Sequence, residues 1–202
     1  MAKIDIVRDP DAVQPIERGD TKLALGLDLG TTTGYAYKLF KPGTTIQWDD
    51  VAMGQWDLSA GPYDSGAIRF VRLRQFLSII KPDLVTFEDV RYTPAIAGMN
   101  KFSIGAIIAR AANSAELFGA FKATLCTWCE EHKVPCQGVG IGQIKKYATD
   151  KGNASKTDMI LACNQKFKSN FGIDDYDSTG ADNIADAAFV LVIGLESYSK
   201  GV

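Results

Sequence analysis

Two carboxylates stand where a carboxylate is costly. In LALGLDLG, residues Leu23, Leu25, Leu27 and Leu29 fall on one face of a strand and Ala24, Gly26 and Asp28 on the other, so Asp28 sits near the end of a buried strand. The short apolar run LVTFE gives Glu88 the same position on a second strand. An ionised carboxylate there costs several kcal/mol unless a cation or hydrogen-bond donors compensate it. Near the C-terminus, ADNIADAA puts Asp182 and Asp186 one turn apart on a single face near the start of a helix. Four carboxylates gathered by folding would repel each other. Divalent cations would remove that repulsion, and an all-oxygen site suits Mg²⁺ or Mn²⁺ rather than zinc. Two such ions about 3.5–4 Å apart hold both the attacking and the leaving oxygen of an in-line phosphoryl displacement, which is the chemistry of many nucleases. Singly, each acid has a plainer role: a turn residue, a strand-end surface residue, an acid in the first turn of a helix. Their joint placement is what points to a site.

The elements that must bring them together follow from spacing. The chain has 202 residues, 46 % of them hydrophobic, enough for one globular domain with a substantial core. Residues 1–20 carry Pro10, Pro15 and five acids without periodicity and read as an extended or weakly docked arm; residues 21–202 read as one domain. After the Asp28 strand, the turn Gly30-Thr31-Thr32-Thr33-Gly34 leads into YAYKLF, and a third strand is expected from about Thr45 to Trp56. Ile68, Val71, Phe76, Leu77 and Ile80 predict a helix from Ser65 to Ile80, ended by Lys81-Pro82-Asp83. A loop over 89–102, a long helix to about His132, the strand VPCQGVG and the short helix GQIKKYAT follow. Ser155 with Asp158 three residues on forms a capping box for TDMILACNQKF, and a last helix runs from about Ala181 to Tyr198. This order predicts an α/β fold with a five-stranded mixed sheet flanked by helices.

Charge is uneven. The net charge is −2 and the pI near 5.4, yet the stretch from Arg91 to Gly172 holds eleven Lys/Arg against five acids, enough for a phosphate-facing surface. No apolar run approaches the about 18 residues of a membrane span, and the polar start lacks a signal-peptide core, so a cytoplasmic protein without membrane contact is expected. Cys126, Cys129, His132 and Cys136 have zinc-like spacing. Steps of three along a helix drift about 120° around it, so buried structural thiols are expected instead. His132 is the single histidine, which disfavours histidine-based hydrolysis.

Four segments, GLDLGTTTGYA (26–36), TFED (86–89), IKKYATDKGNASK (144–156) and ADNIADAA (181–188), resemble the RuvC family of Holliday-junction resolvases, which have a ribonuclease H-like fold. The resemblance spans about residues 23–197 in order and spacing. Its most specific part is the lysine pair followed by Gly152-Asn153-Ala154-Ser155-Lys156, and the small size and long loop after Glu88 look like phage or viral branches. It implies that Asp28, Glu88 and Asp186 are catalytic metal ligands for two Mg²⁺ or Mn²⁺ ions. The family places its remaining ligand three residues before the last aspartate. That position is Asn183 here, and Asp182, four before, is preferred because a carboxylate binds Mg²⁺ better than an amide and four residues of helix also return to the same face. The resemblance further implies cleavage of four-way DNA junctions by a homodimer, with Lys145, Lys146, Lys151 and Lys156 contacting phosphates and Lys156 closest to the chemistry. The family's wedge aromatic falls at Arg91, so the resemblance implies either that Tyr92 substitutes, with Arg91 and Tyr92 both contacting DNA, or that the junction is opened differently.

Two other readings fit parts of the sequence. The same site could act on forks, flaps or structured RNA. DLGTTTGYA also resembles the phosphate loop of actin-like ATPases, but those need two such domains and a second loop that this sequence lacks. The stripe Ile104, Ile107, Ile108, Leu117, Phe118, Phe121 and Leu125 fits either a dimer interface or an intramolecular core.

Overall fold

A computed structural model describes residues 6–90, 101–173 and 179–201, with the side chains of 101–107 and 110 outside the description. Its centre is a six-stranded mixed sheet in the order β1-β4-β3-β2-β5-β6, formed by Ile6–Val7 (β1), Lys22–Asp28 (β2), Thr32–Phe40 (β3), Ala52–Asp57 (β4), Leu84–Glu88 (β5) and Cys136–Val139 (β6). β2, β3 and β4 form an antiparallel meander, while β5 pairs in parallel with β2 and β6 in parallel with β5. The helices are Ile68–Ile80 (α1), Lys101–His132 (α2), Ile141–Thr149 (α3), Lys156–Phe167 (α4) and Ala181–Lys200 (α5).

Strand alternation divides the core into two layers. Leu23, Leu25, Leu27 and Leu29 face α1 and α2, together with Trp56, Phe76, Phe121 and Trp128. Ala24 and Ala36 face α5, whose Ala185, Ala188 and Val192 pack against them with α3 and α4 outside. Each fully buried leucine contributes about 1.5–3 kcal/mol relative to exposure. Small residues on the α5 side let the helix lie directly on the strands. A Cβ on Gly26 would come 2.4 Å from the Ala187 carbonyl oxygen, and one on Gly34 would come 2.1 Å from that of Asn183.

Among the described residues the sheet has six strands, not five, because the N-terminal segment docks. Ile6 and Val7 pair in parallel with Gln55 and Trp56, covering the edge of β4, and Val7, Val13 and Ile16 pack on the Trp56 layer. Arg18 then anchors the segment to Asp83 at 3.1 Å and to the Ile80 carbonyl. Apolar side chains at wide spacing, invisible as periodicity, do this. The β4 strand also starts later than expected, at Ala52. In α1 the buried stripe is Leu73, Phe76, Leu77 and Ile80, with Val71 47 % exposed, because the i, i+3, i+4, i+7 set counts from Leu73. The α4 capping box is present, with Ser155 and Asp158 bonding each other's backbone amides.

The cysteines are free thiols; Cys129 and Cys163 are buried, as expected, and Cys126 and Cys136 are half-buried. His132 is bound to the Trp128 carbonyl through Nδ1 at 2.7 Å and stacks on that indole.

Candidate metal centre

Parallel pairing of β2 with β5, with Leu27 opposite Phe87, puts Asp28 and Glu88 side by side where both strands end. Just beyond Asp28, Thr33 closes the turn. It is fully buried, its hydroxyl donates to the Gly30 carbonyl at 2.7 Å, and it accepts from the Gly30 amide at 3.2 Å. From above, α5 lowers Asp186 onto the pair. One oxygen of each of Asp28, Glu88 and Asp186 lies within 4.8 Å of the others.

The electrostatics show how unfavourable this is without a cation. Burial pushes the Asp28 carboxyl well above the usual carboxylate range, and the charges of Glu88 and Asp186 push it further. Asp28 and Glu88 hydrogen-bond each other, and burial raises Glu88 too, although that bond and the Lys145 ammonium pull the other way. Asp186 is pushed up to about 7 by burial and by the charges of Glu88 and Asp182, against the opposing pull of Lys145 and Lys156. Its Oδ1 is buried with no hydrogen-bond partner among the described residues. Three clustered oxygen donors with raised proton affinity and one orphaned lone-pair atom fit a hard divalent cation.

The fourth acid is close but differently engaged. Asp182 is 7 % exposed, and its Oδ2 lies 2.7 Å from Lys156 Nζ, so it stands beside the three-carboxylate group as half of an ion pair. Its charge still acts on Asp28 and Asp186. Asn183 turns away, donating from Nδ2 to the Thr32 carbonyl at 3.2 Å. Lys145 and Lys156 both reach the acids electrostatically. Lys146 and Lys151 are exposed, Lys151 acting instead on Asp158. Arg91 and Tyr92 lie outside the described residues. Sequence reasoning passed over Thr33, although a threonine three residues after a glycine at a strand end is the signal of such a closed turn. A larger cavity, of about 700 Å³, opens at the opposite ends of the strands among Lys22, Pro82, Asp83 and Pro135, away from the acids.

No protein-family model matches the chain, and no curated protein matches it in sequence. Solved structures do match. A Thermus thermophilus RuvC structure aligns with a TM-score of 0.56 at 15 % identity, covering 89 % of this chain and 96 % of that one. T. thermophilus RuvC in complex with Holliday junction substrate aligns with a TM-score of 0.57 at 16 % identity, over the same shares. The chain has a RuvC-like fold. At this identity the likeness is one of architecture. Within the RuvC-like fold, the ends of β2 and β5 and the first turns of α5 hold the acids described above.

Proposed function

We propose that this protein is a divalent-metal-dependent endonuclease that hydrolyses phosphodiester bonds at four-way DNA junctions. The observation that carries this reading is the convergence of Asp28, Glu88 and Asp186 around an orphaned oxygen on a RuvC-like fold. A Mg²⁺ or Mn²⁺ pair, when bound, supplies charge neutralisation and an acidified water for in-line attack. Asp28, Glu88 and Asp186 would hold the ions, and Asp182 is a further carboxylate whose charge acts on Asp28 and Asp186. Lys145 and Lys156 add positive charge beside the site, where they orient a phosphate and offset the charge that builds on it. Lys146 and Lys151, exposed on α3 and in the loop after it, extend that surface along a DNA backbone. A four-way junction has two-fold symmetry, so two cuts require two sites and a homodimer. The related Thermus protein has been solved with a Holliday junction.

A second reading keeps the chemistry and widens the substrate to forks, flaps or structured RNA. The arginine at the position of the family's wedge aromatic, Arg91, favours it. Purified four-way junctions, forks, flaps, duplexes and RNA hairpins incubated side by side with Mg²⁺, Mn²⁺ or EDTA test both. Metal-dependent cleavage confined to junctions is expected. Equal cleavage of flaps supports the wider reading, and no cleavage of any substrate overturns both.

A further inference from the structure

The chain leaves the sheet at Asp57 and enters α1 at Ile68. Asp57 pairs with Thr32, and the next amide, that of Leu58, donates to the Thr31 carbonyl at 2.8 Å, so the connecting loop begins beside the turn that follows Asp28. It rises from the acid-bearing end of the sheet, two strands or about 10 Å from β2. Within it, Gly61-Pro62-Tyr63-Asp64 is a closed turn. The Asp64 amide donates to the Gly61 carbonyl at 3.2 Å, and the Asp64 carboxylate accepts from the Gly61 amide at 2.9 Å. Arg72 fastens the turn to α1, donating to that carboxylate at 3.1 Å and to the Ser59 carbonyl. At its base Asp57 accepts from the Ser59 amide at 2.9 Å and pairs with Arg8 at 3.6 Å. The tip of this fastened turn touches nothing. Tyr63 is 103 % exposed, whereas no other exposed large apolar side chain among the described residues exceeds 52 %.

A single exposed apolar side chain is ordinary on a protein surface. One held out on a turn that charge-assisted bonds fasten is different, because ordering that turn buries nothing of the ring within the chain. The ordering prepares the ring for an outside partner, whose binding then costs less. Ring and charge together define that partner. An aromatic ring open to solvent offers its face to another flat ring, and on the loop and the segments flanking it Arg8, Arg69 and Arg72 outnumber Asp57 and Asp64, which suits a polyanion. We propose that Tyr63 is a nucleobase-stacking residue that engages an exposed base face of branched DNA near the cut. The inference rests on the nuclease reading, which brings DNA to this end of the sheet. Tyr63 lies six residues beyond Asp57, so its backbone stands no more than about 20 Å from that strand end, roughly six base pairs of duplex. Bases inside a continuous duplex are covered on both faces, and those at a branch or flap are not. Stacking tolerates any base, so Tyr63 reads the form of the DNA and not its sequence.

The test compares the unaltered protein with Tyr63→Ala and Tyr63→Phe. Both variants should melt as the unaltered protein does, because the side chain packs on nothing. Affinity is measured in EDTA by anisotropy on labelled four-way junctions and flaps, with relaxed circular duplex, which has neither ends nor branches, as competitor. Tyr63→Ala should bind the branched DNAs roughly five- to a hundredfold more weakly and the circular duplex unchanged, and Tyr63→Phe should keep the affinity. In a second measurement 2-aminopurine is placed one position at a time around the branch. Its emission should change at one position with the unaltered protein and not with Tyr63→Ala. Unchanged affinity of Tyr63→Ala, with Mg²⁺-dependent cleavage intact, overturns the stacking role alone. An equal loss on branched and circular DNA overturns it in favour of a backbone contact. Tyr63-dependent binding of branched DNA without cleavage in Mg²⁺ or Mn²⁺ overturns the nuclease reading and retains the stacking role. No binding of any DNA overturns both.

Discussion

Gly26 lies under the Ala187 carbonyl so closely that a Cβ would stand 2.4 Å from that oxygen. Ala187 is the neighbour of Asp186, and Gly26 is two residues before Asp28 on the same strand face. The contact thus sets the height at which one acid-bearing element meets another. Gly26→Ala must lift α5 off the sheet, costing about 1–3 kcal/mol as overpacking does, and widening the gap between Asp186 and Asp28. The expected result is a lower melting temperature together with weaker Mg²⁺ binding, measured by calorimetry on the variant below its transition.

Metal-free protein should become less stable as pH rises from about 4 to 7. Asp186 has an ordinary carboxyl value of 3.8 when unfolded and about 7 when folded. Between these values the folded state binds more protons than the unfolded state, so stability falls with increasing pH across that window. Asp28 is shifted in the same direction and adds to the effect. Melting curves in EDTA at successive pH values check the slope. Asp186→Asn should flatten it and raise the melting temperature above pH 7.

Saturating Mg²⁺ or Mn²⁺ should reverse that loss. A ligand present at a hundred times its Kd stabilises the folded state by about 2.7 kcal/mol. The shift in melting temperature on adding metal at pH 8 should therefore be several degrees in the wild type and nearly absent in Asp28→Asn. The same variant should cut DNA at least about a thousandfold more slowly while binding junctions with unchanged affinity, since it removes a metal ligand and leaves the lysines in place. Cleavage by Asp28→Asn at saturating metal would remove Asp28 from the site.

Ser155 caps α4 at the residue before Lys156, in the reciprocal pair with Asp158. Ser155→Ala should cost about 0.5–2 kcal/mol, as the loss of an N-cap does. It should also lower cleavage, because the ammonium paired with Asp182 starts from that first turn. Lys156→Ala in the same assay separates the two effects, reducing cleavage with a smaller change in melting temperature.

Light scattering at micromolar concentration should give twice the chain mass. A monomer that still makes paired cuts in a junction would contradict the two-site scheme.

Much of the acid placement was legible because desolvation makes a strand-end carboxylate conspicuous. Asp28 and Glu88 each close an apolar run, helical spacing put Asp186 on one face with Asp182, and the family resemblance set Asp186 beside the strand-end pair. Asp182 was legible as a nearby acid but not as the partner of Lys156, since the pairing depends on where α4 starts relative to α5. Gln55 gave no signal at all. A glutamine in a strand reads as a surface residue, and its burial comes from Gly180, far along the chain. The sixth strand was hidden by its length, two residues being too short for any period to show.

That two-residue strand has a consequence for handling the protein. By pairing with Gln55 and Trp56 it occupies the backbone groups of β4 that would otherwise face outward unpaired. Deleting the first dozen residues would leave a bare margin able to recruit strands from other molecules, so a shortened version should precipitate or form fibrils under conditions in which the whole chain stays dissolved.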